Sequence, residues 1–201
     1  NGTLNNCTLI SPTSETGGVF LVEYGSTMEL LSSKTVHSRA LLRGGVGHAI
    51  NSNLIVENTI FLNCTSYATG GVFSVAMSTL SMVNSFVVGS KSANGAFLFS
   101  ESSLLFMGGT NPGEGQGLDD GIFSETCIEY YPSKCCTFAV DQIERVDNVF
   151  ICNEAVQGGV LSALGSRLIW THNIINHNKG IFSGVLKLDD SYASMTDNYF
   201  G

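Results

Sequence analysis

Charge is what this sequence has least of. Only 13% of its 201 residues are Asp, Glu, Lys or Arg, about half the roughly 25% of an ordinary soluble domain. Nine Lys and Arg stand against 17 Asp and Glu, for a net charge of −8. A nucleic-acid surface needs clustered basic residues, so nucleic acid is not an expected partner. Proline (3) and tryptophan (1) are scarce. No apolar run approaches the roughly 18–20 residues of a membrane-spanning helix, so the chain has no helical transmembrane segment. No Cys-x-x-Cys pair occurs, which removes zinc-ribbon and thioredoxin-like readings. The hydrophobic fraction of 43% excludes a disordered chain. In place of charge there are 24 Ser, 15 Thr, 16 Asn and 23 Gly.

The chain opens Asn1-Gly2-Thr3 and stops at Tyr199-Phe200-Gly201, and is read as a window of a longer or processed protein. Its six cysteines are Cys7, Cys64, Cys127, Cys135, Cys136 and Cys152. Three of them, Cys127, Cys135 and Cys136, crowd one short stretch, which points to local disulfides in an oxidising compartment. All six are disulfide candidates. Asn-x-Ser/Thr sequons stand at Asn1, Asn6 and Asn63 and are glycosylation candidates compatible with a surface protein.

A repeat of about 25 residues organises the sequence. Ser followed by two apolar residues in alternation recurs at Ser26, Ser52, Ser78, Ser102, Ser166 and, with weaker apolar residues, Ser191. Asn58, Asn84, Asn148, Asn173 and Asn198 form a second column, each two residues before a large apolar side chain. Glycine forms the third: Gly17-Gly18-Val19-Phe20, Gly70-Gly71-Val72-Phe73, Gly95-Ala96-Phe97, Gly158-Gly159-Val160-Leu161 and Gly184-Val185-Leu186, with Gly44-Gly45 a looser member. Alternation such as Leu80/Met82 and Leu168/Trp170 has the two-residue period of strands. Gly and Asn accept left-handed backbone and mark tight corners.

Strands and corners at one fixed period predict an all-β fold, a right-handed parallel β-helix of about seven rungs with three short strands each. Parallel crossovers are right-handed in nearly every case. Stacked equivalents would form a side-chain ladder through Asn58, Asn84, Asn148, Asn173 and Asn198. His177 is assigned to the column of Leu62, Val88 and Cys152, and Trp170 to that of Met82 and Phe106, where packing is favoured over sugar stacking.

Residues 108–136 interrupt the period with a Gly-rich, Cys-containing loop, after which Phe138-Ala139-Val140 is read as resuming a strand. Glu114, Asp119 and Asp120 offer oxygen ligands for calcium. An acidic solvated loop is the preferred reading, and no metal or other cofactor is expected.

The motifs Gly17-Gly18-Val19-Phe20, Gly70-Gly71-Val72-Phe73 and Gly158-Gly159-Val160-Leu161, together with Phe150-Ile151-Cys152-Asn153, resemble the polymorphic outer membrane protein repeat family. In that family a Gly-Gly-aliphatic motif alternates with Phe-x-x-Asn along a β-helix. Ile60-Phe61-Leu62-Asn63 and Ile175-Asn176-His177-Asn178 match the second motif with Ile in place of Phe. The resemblance implies an exposed or secreted adhesin or coat component, and it brings no catalytic residues.

Enzymatic β-helices need their own signatures. Inverting glycosidases place two carboxyls about 6.5–9.5 Å apart, and the acidic candidates are Asp119-Asp120, Asp189-Asp190 and Asp197. Polygalacturonases are similar in fold class alone: Gly47-His48 precedes Asp119-Asp120, and no Arg-x-Lys occurs. The expectation is a non-enzymatic extracellular or cell-surface module, structural or adhesive, part of a coat, adhesin or fibre. Its expected partners are further copies of itself, other surface proteins or glycans. The alternative is a β-helix that binds or cleaves polysaccharide.

Overall fold

The computed structural model describes residues 1–108 and 148–201. Every described strand pairs in parallel with the equivalent strand of the next turn of the chain, and no helix is present among the described residues. The fold is an all-β parallel solenoid of six full rungs and half of a seventh. Four sheets run its length, so each full rung holds four strands where the apolar pattern predicts three. Sheet 1 stacks Gly2–Asn5, Thr27–Leu31, Asn53–Glu57, Thr79–Val83, Leu104–Gly108, Arg167–Thr171 and Tyr192–Thr196. Sheet 2 runs from Thr8–Ile10 to Tyr199–Phe200 in seven strands, and sheet 4 from Phe20–Glu23 to Leu186–Asp189 in six. Sheet 3 stacks Thr13–Thr16, Arg39–Arg43, Thr65–Ser66, Lys91–Asn94, Glu154–Gln157 and Lys179–Gly180. Its strands carry almost no apolar alternation, which is why sequence reading merges them into a corner.

Most described corners contain a residue with left-handed backbone. Between sheets 1 and 2 this residue is Asn6, Ser32, Asn58, Asn84, His172 or Asp197; between sheets 2 and 3 it is Ser11, His37, Asn63, Gly89, Cys152 or His177. Between sheets 3 and 4 it is glycine in the first five rungs, Gly17, Gly44, Gly70, Gly95 and Gly158, and the sixth such corner turns without a left-handed residue. The difference is steric. A Cβ on Gly70 would lie 1.7 Å from the Phe73 carbonyl oxygen, whereas one on Gly25, between sheets 4 and 1, meets nothing within 4 Å. Small polar residues fit the open corners at modest strain; the closed corner admits only glycine.

The residue after each left-handed position builds a ladder. Ser52, Ser78, Ser103 and Ser166 each donate a backbone N–H to the hydroxyl of the serine one rung on, ending at Ser191, at 2.9–3.1 Å. The marker serine of the fourth interval is therefore Ser103 and not Ser102, which occupies the left-handed position. The asparagine ladder is likewise shorter than its sequence column. Asn148 Nδ2 donates to Asn173 Oδ1 at 2.9 Å, and Asn173 Nδ2 to Asn198 Oδ1 at 2.8 Å. Asn58 and Asn84 sit one residue earlier, at the left-handed corner, and their places in the ladder are taken by Thr59 and Ser85. A second asparagine step joins Asn153 to Asn178 between sheets 2 and 3.

Inside the tube, a run of rings passes from Phe61 to Phe73, Phe97, Phe150 and Trp170, with neighbouring centroids 5.0–5.9 Å apart. These rings are fully buried, and each stacks edge-on or tilted as the ring quadrupole favours. Trp170 is a packing residue as expected, but its register partner is Met107. Phe106, one residue off, points outward and is partly exposed. His177 is an exposed corner residue; Asn176 holds the buried strand position beside Ile151. Val88 pairs with Leu62 on one side and with Ile151 on the other, so residues 109–147 fall in sequence between a strand of sheet 1 and the following strand of sheet 2. The predicted strand Phe138-Ala139-Val140 lies outside the described residues, and the rung resumes at Asn148–Ile151.

Candidate functional site

The outward face of sheet 3 differs from the other faces of the solenoid. Register places Thr13, Arg39, Thr65, Lys91, Glu154 and Lys179 in a single column, one residue per rung. Strand alternation buries the next residue and turns the following one outward again, which sets a parallel apolar column of Leu41, Tyr67, Ala93, Val156 and Ile181 beside it. Tyr67 is 70% exposed and Ile181 71%. The strand Arg39–Arg43 and the stretch from Thr65 to Thr69 each carry one residue more than the equivalent stretches of their neighbours, as the pairs Thr16↔Arg43 and Thr69↔Asn94 show. The additional residue is a bulge that pushes side chains off the sheet plane. Apart from Thr13 and Leu41, the two columns line a groove of about 670 Å³ that extends over five rungs, from Arg39 to Lys179 and Ile181.

Charge is concentrated here. Lys91 Nζ lies 3.1 Å from Glu154 Oε2, and Lys179 Nζ lies 3.8 Å from Glu154 Oε1. The Lys91 ammonium, through its hydrogen bond and its charge, holds the Glu154 carboxyl below the ordinary carboxylate range, with Lys179 adding to the effect. Glu154 is thus ionised at neutral pH and the trio keeps one net positive charge. Arg39, with no ion pair among the described residues, adds a second two rungs away from Lys91. In a protein of net charge −8 this is a local inversion of sign. Sequence reading missed it because the register partners lie 26, 63 or 25 residues apart and no two neighbours in the column are the same residue type.

The residues singled out from sequence are placed elsewhere. Asp189 pairs with Lys187 at 2.8 Å on sheet 4. Asp190 and Asp197 occupy different corners, at either end of the strand Tyr192–Thr196, so the three do not converge as a carboxyl pair. Asp197 is instead 3.7 Å from His172 on the rung before. Glu114, Asp119, Asp120, Cys127, Cys135 and Cys136 lie outside the described residues. Cys7 and Cys64 are free thiols, which corrects their place among the disulfide candidates. Cys64 is enclosed in the core at a ladder position, where burial pushes its thiol up to about 12; a thiol so protonated is inert. Cys152 is not among the free thiols.

Of the sequons, Asn1 and Asn6 are exposed. Asn63 is half-buried, with Nδ2 2.9 Å from His37 Nδ1. His48, missed as a structural residue, is enclosed on sheet 4 and donates from Nδ1 to the Ser74 carbonyl at 2.9 Å. Burial holds its pKa below 6.5, and the neighbouring Arg43 acts in the same direction.

The fold and this face together define a class: a four-sheet parallel β-solenoid that carries a cationic and apolar lateral groove. Neither a family model, nor a curated protein, nor a solved structure matches the chain.

Proposed function

We propose that the chain is a structural or adhesive module of an extracellular protein, belonging to a surface coat, an adhesin or a fibre-forming assembly. The observation that carries this reading is the lateral face of sheet 3, where Leu41, Tyr67, Val156 and Ile181 are all exposed. An apolar surface of that extent beside fixed charge marks a contact site. Ser, Thr and Asn dominate the corners and ladders, so the rungs form a stiff scaffold that presents the face without needing charge to hold it. The exposed sequons at Asn1 and Asn6, and Cys152, which is disulfide-bonded, fit an oxidising, glycosylating compartment. The resemblance to polymorphic outer membrane protein repeats points the same way.

The test is adhesion of protein-coated beads to cell-surface extracts, alongside sedimentation of the soluble chain. The triple variant Leu41→Ser, Tyr67→Ser, Ile181→Ser changes only exposed side chains. It is expected to abolish adhesion, self-association or both while keeping the wild-type circular dichroism spectrum. Adhesion and sedimentation unchanged by the variant would refute the reading.

A further inference from the structure

Resting on that reading, the spacing of charge along sheet 3 says what the face holds. Arg39, Lys91 and Lys179 occupy alternate rungs of one column, with Thr65 and Glu154 between them. Adjacent strands are about 4.8 Å apart, so the cations recur about every 10 Å along the solenoid axis. Two linked pyranose rings span about the same length. An extended peptide laid along the same groove repeats its same-face side chains every ~6.7 Å, out of step with the cations. The cationic column is flanked by an apolar one in which Tyr67 presents an exposed ring. Such a ring gives the C–H face of a sugar a surface to lie on while its acid group faces the neighbouring cation. Thr65 and ionised Glu154 fall opposite the uncharged sugars, where a hydroxyl oxygen and a carboxylate accept hydrogen bonds from ring hydroxyls. We infer that the sheet 3 groove binds a linear acidic polysaccharide with one carboxylate per disaccharide, lying parallel to the solenoid axis across five rungs.

The experiment is titration calorimetry of the whole chain with three probes: a hyaluronan octasaccharide, a neutral cello-oligosaccharide of similar length, and an oligoglutamate peptide. The hyaluronan oligomer is expected to bind, the neutral sugar not to bind, and the peptide to bind more weakly. Added salt is expected to loosen the complex, because the charges are exposed. Arg39→Gln and Lys179→Gln should each weaken binding about fivefold, the size of one exposed charge contact. Tyr67→Ala should weaken it as well, and Lys34→Gln, on sheet 2, should leave it unchanged. Failure of the wild-type chain to bind hyaluronan, equal binding of oligoglutamate, or binding indifferent to Arg39 and Lys179 would each overturn the inference. If bead adhesion still depends on Leu41, Tyr67 and Ile181 in that case, the adhesive reading stands and only the glycan assignment falls.

Discussion

Removing the side chain of Asn173 tests the ladder that holds the rungs together. This side chain is enclosed: the two N–H groups of Nδ2 are shared among the carbonyls of Met107 (3.1 Å) and Thr171 (2.8 Å) and Asn198 Oδ1 (2.8 Å), and Oδ1 accepts from Asn148 Nδ2 at 2.9 Å, the equivalent of three full hydrogen bonds. Two of its side-chain partners keep other bonds, because Asn148 Nδ2 still reaches Met82 and Gly108 and Asn198 Oδ1 still receives the Asn173 N–H. The cost per bond is therefore the net value and not the full desolvation penalty, and three bonds amount to about 3 kcal/mol for Asn173→Ala. In a domain of this size that lowers the midpoint of thermal unfolding by about 6–12 °C. Asn173→Ser should cost less, since Ser85 at the equivalent position of an earlier rung returns a hydroxyl bond to the carbonyl two residues back. Asn58→Gly is the control: Asn58 belongs to the same sequence column but has left-handed backbone, and its Oδ1 has no partner. Glycine relieves that backbone, so the change should stay within about 1 kcal/mol. Thermal and urea unfolding followed by far-UV circular dichroism measure all three. Because solenoid stability is a sum of rung and neighbour terms, amide exchange should also accelerate around Asn148, Asn173 and Asn198 first. A shift below about 2 °C for Asn173→Ala, or an Asn58→Gly shift equal to it, refutes the reasoning.

Two further expectations follow from the corners and the core. A Cβ at Gly71 would lie 2.1 Å from the Ala96 carbonyl oxygen, whereas one at Gly184 meets nothing within 4 Å; Gly71→Ala is expected to destabilise by about 2 kcal/mol or more and Gly184→Ala by less than about 0.5 kcal/mol, read from urea midpoints. The chain itself carries an alanine in this column, Ala96, whose N–H reaches the Gly158 carbonyl at 3.4 Å where Gly18 and Gly45 keep 3.2 and 3.0 Å, so the backbone has already moved apart there. His48 is held neutral by burial with its pKa below 6.5, so below pH 6.5 the unfolded chain takes up a proton that the folded chain refuses. Its contribution to stability is complete above that pH and is lost as pH falls toward the folded value. His48→Gln should flatten the stability–pH curve in that window, and an unchanged curve would count against the account.

How much of this was legible in the sequence follows from which positions the solenoid constrains. The glycine column is readable because the same carbonyl stands against the same Cβ at every rung, from Gly17 to Gly158. The serine column is readable because each hydroxyl answers the same backbone N–H. Errors of one residue entered where two adjacent positions both favour small polar side chains: Ser102 beside Ser103, and Asn58 and Asn84 beside Thr59 and Ser85. Left-handed backbone and ladder bonding select overlapping residue types, and only hydrogen-bond geometry separates them. The fourth strand of each rung was hidden because Lys91–Asn94 or Glu154–Gln157, taken alone, has no apolar period.

By itself, then, the amino-acid sequence determined the repeat, the all-β solenoid and the apolar columns that fill its interior, since inward and corner positions meet one unchanging environment at every rung. Only the tertiary structure decided the number of sheets, the true ladders and the groove. Arg39, Thr65, Lys91, Glu154 and Lys179 face solvent, where stacking does not enforce likeness, and they become neighbours through register alone. A charge pattern built across rungs has no trace along the chain, because its spacing is that of hydrogen-bonded strands and not of residues.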